Sequence, residues 1–96
     1  MVIDVTKVIK DFEDNAIIDS GKELTLRTVF YMALNSFRSD ENPSADTKAK
    51  CFGIMTKIFA GDEANITNEE AVLLKERVGV IFTPLIYGMV CEVLDS

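Results

Sequence analysis

The chain has 96 residues, 48% of them hydrophobic and 27% charged, with two prolines, five glycines, no histidine and a formal net charge of −6. A chain of this length and balance buries roughly 60 to 70% of its unfolded surface in one core, which argues against disorder and against two independent domains; residues 1–96 are expected to form a single domain. The acidic charge disfavours nucleic-acid phosphates and anionic membranes, whose attraction needs clustered Lys and Arg, so neither direct nucleic-acid binding nor membrane binding is expected.

The opening Met1-Val2-Ile3-Asp4-Val5 has no basic segment and places an acid inside the first apolar stretch. It does not read as a secretory signal, and a cytoplasmic protein is expected. Between Lys7 and Leu24, short apolar runs alternate with the turn-forming clusters Glu13-Asp14-Asn15 and Asp19-Ser20-Gly21-Lys22. That punctuation predicts a small hairpin within residues 1–24; the competing reading is a helix using Val5, Val8, Ile9 and Phe12.

Residues 25–96 read as helical. Leu26, Val29, Phe30, Ala33, Leu34 and Phe37 recur at helical spacing behind Thr25, a suitable N-cap, and predict a first helix ending near Phe37. The polar stretch Arg38 to Pro43 is the evident exposed loop and the expected place for a tolerated cut. Ser44 is placed to cap a second helix with Cys51, Phe52, Met55, Ile58 and Phe59 on its apolar face and Gly61 as its stop. Thr67-Asn68-Glu69-Glu70 matches a capping box opening a third helix. Thr83-Pro84 opens a fourth, with Thr83 as N-cap, running to about Leu94. The expected fold is α+β and mainly helical, an N-terminal β-hairpin followed by about four α-helices around Phe30, Leu34, Phe52, Met55, Phe59, Leu73, Ile81 and Leu85.

From Val78 to Cys91 no side chain is charged. The run is too short to span a bilayer, which takes roughly 20 residues, and Gly79, Pro84 and Gly88 interrupt it. A helix apolar over most of its circumference must be covered, either as a central helix or by a second copy of the chain. The second reading makes Ile81, Leu85, Ile86, Met89 and Val90 candidate oligomer-interface residues, with Gly88 allowing close approach. Tyr31 and Met32 lie beside the core face of the first helix and are candidate partner contacts.

The chemistry-bearing residue types are sparse. Without histidine the usual general base, triad partner and metal ligand are missing, and no glycine-rich phosphate loop is present; no enzyme, cofactor or metal site is expected. Asp11 to Lys22 partly follows a calcium loop, but Ala16 stands where glycine is required and Lys22 where the bidentate glutamate belongs. Cys51 and Cys91 read as small buried apolar residues rather than a disulfide. Arg27, Lys48 and Lys50 are candidate phosphate contacts, against the alternative of a solvated helix face.

Lys10-Asp11-Phe12 and Asp14-Asn15, then Gly21-Lys22-Glu23-Leu24-Thr25-Leu26-Arg27, Ala33-Leu34, Met55-Thr56-Lys57-Ile58, Ile66-Thr67-Asn68-Glu69-Glu70, Leu74-Lys75 and Pro84-Leu85-Ile86-Tyr87-Gly88 give the chain a pattern that resembles a family of small uncharacterised proteins encoded by tailed bacteriophages and prophages. The resemblance implies an origin and brings no catalytic or binding residues with it. The expected function is that of a non-enzymatic phage accessory protein in the host-cell cytoplasm. It would bind a host or phage protein as a homodimer or larger oligomer and inhibit a bacterial defence. The alternatives are a sponge for a nucleotide signal, a virion assembly factor, and an acidic DNA mimic.

Overall fold

The computed structural model describes residues 1–96. Its first strand, β1 (Val2–Asp4), pairs antiparallel with a strand 61 positions further on, β4 (Glu63–Asn65), with Ile3 opposite Ala64. Alternation sends Ile3 and Ala64 into the core and leaves their neighbours in solvent. This pairing ties the first residues across the molecule, whereas the sequence suggests only local pairing there. A three-residue strand with one inward side chain carries too little period to be read.

The hairpin is present as β2 (Ile18–Asp19) and β3 (Lys22–Glu23), joined by Ser20 and Gly21. Both linking residues have positive φ, 52° and 81°, the primed turn that matches strand twist and that glycine makes cheap. Bridges between Val8 and Thr25 and between Lys10 and Ala16 extend it into a narrow ribbon, so the amino-terminal helix is not formed. At the far end of the ribbon the Asp11 carboxylate accepts from the backbone amides of Glu13 and Asn15 at 2.9 and 3.0 Å, folding the Asp11–Asn15 turn.

Helix α1 (Leu26–Asn35) is the central element: Leu26, Val29, Phe30, Ala33 and Leu34 are all buried, and both α2 (Ala45–Phe59) and α3 (Asn68–Ile81) pack on it. Its N-cap is Thr25, whose hydroxyl accepts from the Thr28 amide at 3.3 Å. It stops at Asn35, two residues short of the predicted end, and Phe37 lies outside it against the core. Ser44 caps α2 as expected, through the Thr47 amide at 3.1 Å. The capping box of α3 is complete, with Glu70 donating to Thr67 at 3.1 Å and Thr67 donating back to Glu70 at 2.9 Å. Helix α4 (Pro84–Asp95) begins with Pro84 in its first turn, but the Thr83 hydroxyl makes no cap hydrogen bond.

Several expectations about the core need correction. Helix α2 buries Cys51, Ile54 and Ile58, which lie within about 60° of one another at 100° per residue, and turns Phe52 and Phe59, roughly 100° further round, into solvent. Ile54 is the residue that pulls the buried face away from the two phenylalanines. Met55 and Leu73 pack partly buried against the core, while Ile81 and Leu85 are only half-buried. The uncharged run is not one central helix either: it comprises the last turn of α3, the link Phe82-Thr83 and the first two turns of α4, and α4 lies at the edge, packed on α3. No helix is long and apolar enough to cross a membrane.

Candidate interaction surfaces

Two arginines fix how the helices sit. Arg77, on α3 and 4% exposed, donates to the carbonyls of Ala33 at 3.3 Å and Ser36 at 2.6 Å, pairs with the Glu41 carboxylate, and lies 4.2 Å from the centre of the Phe37 ring. It therefore caps the carboxy terminus of α1 from a neighbouring helix, and explains why α1, with no basic residue in its own last turn, ends where it does. Glu41 in turn accepts from the Arg38 amide at 2.7 Å, so the Arg38–Pro43 loop is anchored through its middle. The Arg77 hydrogen bond and, behind it, the Arg38 amide hold the Glu41 carboxyl below the usual glutamate range.

Arg27 performs the same task for α2. Its guanidinium donates to the carbonyls of Ile58 at 2.8 Å and Gly61 at 2.6 Å and stands 3.8 Å from Asp62. Gly61 does not adopt the left-handed conformation of a glycine stop, and the end of α2 depends on Arg27 instead. Lys50 pairs with Asp46 at 3.1 Å. Eight residues separate Lys50 from Ile58, about 12 Å along the helix, so Arg27, Lys48 and Lys50 do not gather into one anion-binding cluster.

The Arg27 guanidinium also lies 5.8 Å from the centre of the exposed Phe59 ring, and Tyr31 meets the same ring edge-on at 5.6 Å. Asn35 donates to the Tyr31 hydroxyl at 3.4 Å. These contacts hold Phe59 and Tyr31 in place while leaving them 57% and 41% exposed; Phe52, two turns back along α2, is 68% exposed. Tyr31, Phe59 and Phe52 thus form one aromatic face across α1 and α2. Met32 beside them is half-buried. Sequence reasoning placed Tyr31 at a contact surface but assigned both phenylalanines to the core. The readable sign was an excess: Cys51, Phe52, Ile54, Met55, Ile58 and Phe59 cover more of the α2 circumference than one buried face requires.

On α4, Val90 is fully buried in the chain's own core, which removes it from the expected oligomer interface. Ile81, Leu85, Ile86 and Met89 are half-buried, Gly88 faces open space, and Tyr87 on the outer side packs against Gly79, with a ring carbon 3.1 Å from where a β-carbon would stand. The apolar character of the run is thus used mostly inside the α3–α4 corner. Phe12, 89% exposed at the tip of the Asp11–Asn15 turn, is a further displayed ring.

Between α2 and α3 runs a groove of about 520 Å³, walled by residues of Thr47 to Ile54 and of Glu69 to Glu76. Lys57 closes one end, bonded to Glu70 at 2.7 Å and to the Asn65 carbonyl at 3.1 Å. No three His, Cys, Asp or Glu side chains are close enough to hold a metal ion. The cysteines are free, and burial pushes the Cys51 thiol up. No protein-family model matches the chain, and comparison with curated proteins and with solved structures finds no match.

Proposed function

We propose that the protein works by binding rather than by catalysis, as a homo-oligomer. In this reading it is an accessory protein of a tailed bacteriophage that engages a host or phage protein in the cytoplasm of the infected cell and inhibits a host defence. The observation that carries the binding reading is the aromatic face of Tyr31, Phe52 and Phe59. Aromatic residues and arginine are the side chains most enriched where proteins meet, and rings already held by neighbours lose little freedom on association. Here Phe59 is fixed between Tyr31 and Arg27 before any partner arrives.

The magnitude sets the character of the assembly. Burying a fully exposed large apolar side chain stabilises by roughly 1.5 to 3 kcal/mol, so three rings about half exposed supply roughly 2.5 to 5 kcal/mol, no clear surplus over an association cost of about 4 kcal/mol or more. The three rings alone therefore do not hold two copies together; the surface they meet must contribute as well, and the resulting self-association is concentration-dependent, with the net charge of −6 keeping it from becoming indiscriminate.

Two-dimensional nitrogen–proton NMR spectra recorded over a dilution series test this reading. Shifts that move with concentration are expected around Tyr31, Phe52 and Phe59. Spectra that stay constant, or that change only around α4, overturn the assignment of this face.

A further inference from the structure

We propose that the Phe52–Phe59 edge of one copy docks into the α2–α3 groove of a second copy, so that the chain assembles head to tail. The proposal rests on the self-association reading above and names the two surfaces that meet. Both α2 and α3 lie on α1 yet scarcely touch each other, which leaves the position opposite α1 vacant. The floor of that vacancy is apolar, formed by Ile54 and Leu73, and its walls include Gly53 and Val72.

No close contact within its own chain requires a glycine at Gly53. It sits in the middle of α2, where glycine is the poorest helix former after proline, and a β-carbon built there meets nothing within 4 Å. The bare backbone at Gly53 leaves room for another surface to approach the groove wall closely.

Length and charge both match the edge of a second copy. Phe52 and Phe59 are seven residues apart, about 10.5 Å along α2, and the groove walls span seven residues on each helix, Thr47 to Ile54 and Glu69 to Glu76, which is the same length. Glu69 and Glu76 on the groove form no ion pair, and neither does Lys48, one turn from Phe52 on the docking edge. Lys50 also lines the groove but is matched by Asp46, so the groove presents the unpaired acids Glu69 and Glu76 to an aromatic edge that carries the unpaired Lys48. The groove and the edge occupy opposite flanks of α2, so one chain cannot bring its own edge to its own groove. Two different surfaces in contact generate an open or ring assembly rather than a simple two-fold pair.

Complementary variants test the arrangement. Phe52→Gln removes the docking ring at an exposed position, and Gly53→Gln fills the groove with a better helix former, so neither change is expected to unfold the chain. Light scattering should show each variant monomeric at concentrations where the wild-type chain grows beyond a dimer. An equal mixture should form a one-to-one pair that grows no further, because one intact edge then meets one intact groove. A mixture that stays monomeric, or either variant alone assembling like wild type, overturns this interface while leaving self-association intact. A wild-type chain monomeric at every concentration overturns both.

Discussion

Replacing Arg77 with leucine keeps an apolar stem in the site but removes every hydrogen bond the guanidinium makes. Ala33 is buried, so its carbonyl gains no water in exchange, a cost of roughly 1 to 3 kcal/mol. The Ser36 carbonyl can be re-solvated because Ser36 is exposed, and losing its charge-assisted bond costs about 1.5 kcal/mol, the low end for a bond to a charged group. The Phe37 ring loses a cation at 4.2 Å, about 0.5 to 1 kcal/mol. Together these predict a loss of at least about 3 kcal/mol before the broken Glu41 pair is counted, a large part of the roughly 5 to 14 kcal/mol expected for a chain of this length. In urea, with a slope of about 1.5 kcal/mol per molar, the unfolding midpoint should fall by about 2 M. Arg77→Lys keeps the charge, but one ammonium cannot serve Ala33, Ser36 and Glu41 together, so its midpoint should lie between the other two. A loss below about 1 kcal/mol in Arg77→Leu, or full recovery by lysine, would refute the trans-capping account.

The cap geometry separates two threonines that look alike in sequence: Thr67→Ala should lower stability by about 1 kcal/mol and Thr83→Ala by only a few tenths, compared by thermal melting. Stability should also fall in acid. The Glu41 carboxyl is lowered by Arg77, and Glu70 is lowered by Lys57 and Thr67 even though its burial acts the other way. With folded values below the ordinary 4.5, these groups contribute stability that is complete above that pH and is lost as pH falls through the folded values. Urea midpoints measured at successive pH values should therefore hold steady from neutrality to about 4.5 as far as these groups are concerned and then drop, and Glu70→Gln should soften the drop. Burial and the raised thiol of Cys51 predict that a thiol reagent modifies Cys91 first and reaches Cys51 only when the chain opens.

The features legible in the sequence were those whose cause lies within one turn of chain. Thr25, Ser44 and the Thr67–Glu70 box announce helix starts because a cap bonds an amide two or three residues away. Ser20-Gly21 likewise announces its turn. The features that were missed have distant causes. Arg27 looked like a free cation because nothing near it in sequence reveals that the carbonyls of Ile58 and Gly61 await it. The end of α1 is set by Arg77, more than 40 residues on. The pairing of β1 with β4 rests on Ile3 meeting Ala64, a match no local pattern carries. For α2 five apolar positions were found, but Ile54 was left out and with it the direction of the buried face: several helix rotations fit the six apolar residues, and only the packing on α1 selects Ile54 over Phe52. That choice moves Phe52 and Phe59 from the expected core to the candidate interface.

The central claim is that this chain binds a second copy of itself through apolar side chains it does not bury alone. Native mass by light scattering after size exclusion, over a hundredfold range of protein concentration, tests it most directly. A mass that rises with concentration, and that Phe52→Gln returns to one chain, is the predicted result; a single-chain mass throughout would contradict it.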